Sequence, residues 1–144
     1  MPVLVDTSIW SLALRRPRNR ASKAESERVA MLRELIRDGM ARLIGPIRQE
    51  LLSGIREPAQ FEKLRAQLRA FSDEALTVAD FEKAAQFSNE CRRQGVAGSG
   101  VDFLICTVAV ARQWRIFTSD SDFRGYAKVA PLQFHPPSPS EKID

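Results

Sequence analysis

Asp6 directly follows the apolar run "PVLV", and Asp120 stands just past "RIFT" in the stretch "IFTSDSDF". Short apolar runs of this kind read as buried strands. If both strands belong to one parallel sheet, they deliver two carboxylates to its carboxyl edge, where open α/β sheets keep their working sites. The simpler reading of either acid is a helix cap, and of "TSDSD" a polar loop. Glu50 lies in the helical stretch "PIRQELLSGI". At about 100° per residue it stands about 60° from Ile47 and one turn before Gly54, so it flanks the apolar stripe of Ile47 and Leu51. A carboxylate so placed needs a positive or polar partner, and a salt bridge to Arg48 or to a neighbouring helix is its ordinary explanation. Asp102 ends "SGVD", a capping-box pattern with Ser99 as N-cap. Yet it shares its helical stripe with Cys106 and Ala109, which are small and apolar. A helix N-terminus both tolerates a carboxylate and helps to orient it.

Four acids gathered in one cleft repel. At 5 Å and an effective dielectric near 20, each pair costs about 3 kcal/mol, so the cluster must bind protons or hold a cation. His135 is the single histidine, and the two cysteines, Cys91 and Cys106, lie in apparently helical segments and form no cluster in the sequence. A Ser-His-Asp triad and a His-based zinc site are thereby disfavoured. An all-oxygen donor set points instead to a hard cation, Mg²⁺ or Mn²⁺. Such an ion activates water and neutralises charge on a phosphodiester. The hydroxyls of Thr7, Ser8, Thr118 and Ser119 are placed to hold metal-bound waters, with helix capping the simpler role of Ser8.

These acids need a scaffold that brings strand ends together. The 144 residues fit one domain, expected over 1–134, with 135–144 ("HPPSPSEKID") a flexible tail that has no core to join. Strands are expected at 2–6, 41–44 and 115–119, with a last one at 128–134 that Pro131 pushes to an edge. Residues 75–78 read as a short strand or an extended link. Helices are expected from Thr7 or Ser8 to about Leu14, over 22–39 with Val29, Leu32 and Ile36 inward, from Gly45-Pro46 to about Ile55, and over 58–71, 80–94 and 100–113. Gly39 and Gly95 are stop signals. Strands alternating with helices imply an α/β fold with a mainly parallel sheet covered on both faces. No apolar run approaches the roughly 20 residues of a membrane span, and the N-terminus lacks the pattern of a secretory signal. Two cysteines read as buried free thiols fit a reducing cytoplasm.

The ordered set "VDTSIW", the Glu of "PIRQELLSG", the Asp of "VDFLICTVAVA" and "TSDSDF" resembles the acid motifs of PIN-domain ribonucleases, and the compact size resembles VapC-type toxins of bacterial toxin–antitoxin pairs. The resemblance runs from residue 3 to about 134. It implies a three-layer α/β/α sandwich and endoribonuclease activity dependent on Mg²⁺ or Mn²⁺. It also implies a homodimer and a cognate antitoxin that neutralises the toxin. Asp6, Glu50, Asp102 and Asp120 would be the catalytic, metal-binding acids, Asp122 an auxiliary acid at the pocket's edge, and Phe123 the aromatic that packs the loop down. RNA as substrate comes from the resemblance alone; the residues by themselves reach only an oxygen-ligand metal site suited to phosphodiester chemistry.

The net charge of +4 permits an anionic partner. Arg15, Arg16, Arg18 and Arg20 in "RRPRNR" form the densest basic stretch and are candidates to steer an RNA backbone towards the acids; a solvated basic linker is the plain alternative. The apolar stripes of 22–71 make that segment the candidate antitoxin groove. Two rivals remain: a phosphoacceptor receiver domain, which lacks its adjacent acid pair and late lysine here, and a PIN-like module that grips RNA or protein without cutting.

Overall fold

The computed structural model describes residues 1–15 and 18–137, the side chain of Arg18 excepted. Arg16, the side chain of Arg18 and the tail from residue 138 lie outside the described residues. The chain starts with a three-residue strand, β1 (Val3–Val5), that is buried throughout. Asp6 leaves it and caps helix α1 (Thr7–Leu14). After a short 3-10 turn come α2 (Lys23–Arg37), β2 (Ala41–Arg42), α3 (Gly45–Leu52), α4 (Pro58–Leu68), α5 (Val78–Arg93), α6 (Gly100–Arg112), β3 (Arg115–Phe117) and α7 (Asp122–Tyr126).

The sheet is parallel with order β2-β1-β3, so the first strand is central. Val3 faces Ala41 on one side and Arg115 on the other, while Val5 faces Phe117. This register sets the ends of β1 and β3 level, and the Asp6 N–H donates to the Phe117 carbonyl at 2.9 Å. The helices form two packed groups: α1 meets α2 and α3, and α3 meets α4, while α5 packs on α6, which reaches β3. The result is the α/β/α sandwich around a parallel sheet that the alternation of strands and helices called for. Trp10 is buried, donates its indole N–H to the Val5 carbonyl and meets Phe71 edge-on at 5.0 Å. It is a core residue, as an aromatic with a satisfied polar tip is expected to be.

The structure departs from the sequence reading in several places. The strand placed at 128–134 is reduced to a single bridge, Ile116 to Phe134. Helix α7 and the turn after it use the chain to residue 130, and the Leu132 N–H closes back on the Ala130 carbonyl instead of extending a ladder. Helix α7 itself was not anticipated; five residues are too few to show a period. Of the two readings of 75–78, the extended link holds up to Thr77, where Thr77 and Asp80 make a reciprocal capping box that starts α5 at Val78. In α2 the inward residues are Leu32 and Leu35, while Ile36 is exposed. Leu32 thus faces inward as read, and Leu35 takes the place expected of Ile36. Gly39 ends α2 at φ +69°, a left-handed conformation that glycine adopts without strain.

Candidate active site

Local sequence explains each arm of the site. The extended β1 stops at Asp6 because its side chain turns back to accept from the backbone N–H of Ser8 and starts α1. Ser8 Oγ (2.7 Å) and Thr118 Oγ1 (2.8 Å) both donate to Asp6 Oδ2. The same two hydroxyls accept in turn: Ser8 Oγ from the Ser119 N–H at 3.1 Å and Thr118 Oγ1 from the Asp120 N–H at 3.0 Å. Asp6 is only 4% exposed, and this web supplies the polar contacts that a buried carboxylate requires. It also ties the loop after β3 to the start of α1. Asp120 Oδ1 then accepts from the Asp122 N–H at 2.9 Å, which folds the loop into α7.

Helix α3 brings Glu50, whose Oε1 accepts from Thr7 Oγ1 at 2.6 Å. The ordinary explanation of Glu50 does not hold: Arg48 turns away to Asp73 at 2.8 Å and to the carbonyls of Leu68 and Phe71. Asp102 enters from the first turn of α6, above the Ser99 cap. Its Oδ2 accepts a 2.6 Å bond from the phenol of Tyr126, on α7.

All five acids, Asp6, Glu50, Asp102, Asp120 and Asp122, line one cleft of about 660 Å³ together with Thr7, Ser8 and Gln49. Among the described residues, no lysine or arginine lines it and none of the five acids forms an ion pair. One carboxylate oxygen from each of Asp102, Asp120 and Asp122 lies within 4.8 Å of the others. Asp6 is not in that tightest trio; it is the buried post that orders the loop behind it. Burial drives the carboxyl of Asp102 up to about 6, and the neighbouring charges of Asp6, Asp120 and Glu50 push the same way against the lowering effect of Tyr126. Burial, reinforced by Asp102, also raises the Cys106 thiol and the Tyr126 phenol well above their ordinary ranges. Both therefore stay neutral, and the phenol acts as donor. A cleft of unpaired carboxylates with every donor an oxygen suits a hard divalent cation.

Sequence reasoning missed Tyr126. Only its spacing of three from Phe123 hinted at a role, and that reads as core packing. Both are buried, with rings 5.1 Å apart. Phe123 closes the loop onto the core, where the resemblance expected it. Ser119 takes part through its backbone N–H rather than its hydroxyl. Of the basic stretch, Arg15 lines a second groove with Arg56 and Lys63, between the end of α1 and α4. Arg20 lines neither the acid cleft nor that groove.

Comparison with known proteins agrees with this architecture. No curated protein sequence matches the chain. Among solved structures it is similar to VapBC2 from Rickettsia felis bound to a DNA fragment from their promoter, at TM-score 0.69 and 17% identity, over 92% of this chain and 96% of that one. It is also similar to FitAcB from Neisseria gonorrhoeae, at TM-score 0.64 and 22% identity, over 93% of this chain and 97% of that one. At these identities the likeness speaks to fold. The family model for the PIN domain matches residues 3–129, nearly the whole length of the sandwich. With that match, the chain belongs to the PIN domain family.

Proposed function

We propose that the protein is a metal-dependent endoribonuclease and the toxin of a type II toxin–antitoxin pair. One observation carries the hydrolytic part: five carboxylates converge on one cleft that, among the described residues, no lysine or arginine lines. PIN domains are generally nucleases, which supports the same reading. Mg²⁺ or Mn²⁺ fits the donor set, held by Asp6, Asp102 and Asp120 with Asp122 at its side. When bound, the ion would activate water and balance charge on the scissile phosphate. Glu50 adds a further carboxylate at the cleft wall, where Thr7 holds it. Thr7, Ser8 and Thr118 keep the acids in place by donating to them.

The toxin assignment draws support from the two structural neighbours, which are VapBC and FitAB assemblies. A cognate antitoxin is accordingly the proposed protein partner. The groove lined by Leu14, Ile55 and Leu64, within and beside the segment 22–71, is its proposed seat. Arg15, which lines the same groove as Arg56 and Lys63, is the proposed contact for RNA phosphates; Arg16, Arg18 and Arg20 remain candidates from the sequence. A homodimer is part of the same proposal. Among the described residues no helix is long and apolar enough to cross a membrane. Two free, buried thiols, Cys91 and Cys106, accord with the cytoplasm as the proposed location.

The deciding experiment is cleavage of mixed RNA by the full chain with Mg²⁺, repeated in EDTA and with Asp6→Asn. The amide oxygen can still accept from Ser8 and Thr118, so the variant should fold normally while cleavage is lost. Cutting by Asp6→Asn at the wild-type rate would refute the reading. RNA binding without cutting, by well-folded wild type in Mg²⁺ or Mn²⁺, would favour a non-catalytic module.

A further inference from the structure

Four acids of the cleft share a feature that their positions alone do not require. Each has one carboxylate oxygen engaged by the protein while the other has no hydrogen-bond partner among the described residues. The engaged atoms are Oδ2 of Asp6 (from Ser8 and Thr118), Oε1 of Glu50 (from Thr7), Oδ2 of Asp102 (from Tyr126) and Oδ1 of Asp120 (from the Asp122 N–H). A carboxylate held in this way presents one oxygen to an ion and resists swinging to present two. Ca²⁺ takes six to eight oxygens and accepts bidentate carboxylates, whereas Mg²⁺ demands octahedral geometry with one oxygen per ligand.

We propose that this brace makes the cleft select a small octahedral cation over Ca²⁺, and that Tyr126 is its stiffest member, a positioning residue for Asp102. The inference rests on reading the acids as a metal centre. Tyr126 is fully buried. Its ring packs edge-on against Phe103 at 5.6 Å and Phe123 at 5.1 Å. Gly98 closes the remaining side: a Cβ there would stand 2.6 Å from the Tyr126 hydroxyl and 2.8 Å from the Phe103 ring. The phenol therefore cannot swing away to release the second oxygen of Asp102. Thr7 braces Glu50 from a more open position, where its loss leaves the core untouched.

The test is calorimetric titration of the full chain with MgCl₂ and, separately, CaCl₂, for wild type, Tyr126→Phe and Thr7→Val, with melting in EDTA as the check on folding. Tyr126→Phe keeps the ring and removes only the donor. It should weaken Mg²⁺ binding about 10-fold while Ca²⁺ binding holds or tightens, so that the Mg²⁺/Ca²⁺ preference falls about 10-fold. Thr7→Val should move the preference the same way by a smaller factor. A general loss of structure would weaken both ions together and leave the ratio alone. Wild-type protein that binds both ions, with a ratio unchanged in both variants, overturns the brace and leaves the metal centre standing. Wild-type protein that binds neither ion overturns the metal centre and the brace with it.

Discussion

Thr118 Oγ1 lies 2.8 Å from Asp6 Oδ2 across 112 residues of chain, and this bond joins the carboxyl ends of two neighbouring strands. It is possible because β1 and β3 are adjacent and in register, Val5 opposite Phe117. The hydroxyl donates to the buried acid and accepts from the Asp120 N–H, so one side chain holds two of the acids in the cleft.

Thr118→Val keeps the shape and removes both bonds. It should destabilise the protein by about 1–3 kcal/mol, because Asp6 loses a donor while buried. Urea unfolding measures this. Cleavage should fall more than stability alone explains, since the loop carrying Asp120 is loosened; full activity in a folded Thr118→Val protein would contradict the role given to this loop.

Asp102 predicts a pH dependence of the metal-free protein. Its carboxyl titrates at about 6 when folded against 3.8 in the ordinary state. Between those values the folded chain binds more protons than the unfolded one, so the contribution is present at low pH and lost as pH rises from about 4 to about 6. In EDTA, melting temperatures should show a decline over this window that Asp102→Asn removes. If the decline is identical in the variant, the charge cluster is not its source.

Asp80 works in the opposite sense and does not line the cleft. Arg112 donates to both of its oxygens, at 3.1 and 2.9 Å, and holds its carboxyl down at about 2. Arg112 also pairs with Glu74 and lies over the Trp114 ring. The unfolded carboxyl titrates near 3.8, so this stabilisation is complete above that pH and is lost as pH falls towards 2. Asp80→Asn should cost about 2 kcal/mol at pH 7, measured by urea unfolding, and progressively less in acid.

Arg15 tests the proposed RNA path. As a phosphate contact it should matter equally for every sequence: Arg15→Ala should weaken RNA binding uniformly and lower the salt slope by about 1. Binding measured between low and moderate salt, with Asp6→Asn to prevent cutting, reads both quantities. An unchanged slope would leave Arg15 as a solvated linker residue.

Much of the scaffold was legible because its signals are local. "PVLV" and "RIF" are short runs with an acid at or just past the end, and a parallel sheet sends such ends to one edge. Gly45-Pro46 opens a helix, and Gly39 and Gly95 close theirs, as the backbone preferences of those residues dictate. The short pieces were not legible. Helix α7 is too brief for a period, Phe134 pairs at a single position, and on α2 Leu35 turns inward in place of Ile36.

The sequence by itself determined which chemistry was available: a chain with one histidine, separated cysteines and acids placed at strand ends and helix flanks. Periodicity and element ends are properties of neighbours in the chain, so one dimension suffices for them. Which partner each acid has was decided only by the tertiary structure. Arg48 left Glu50 for Asp73, Thr7 took its place, and Tyr126 reached Asp102 from an unanticipated helix. Those choices follow from the strand order β2-β1-β3 and from packing, because hydrogen bonds form at about 3 Å between groups that only the folded core brings that close.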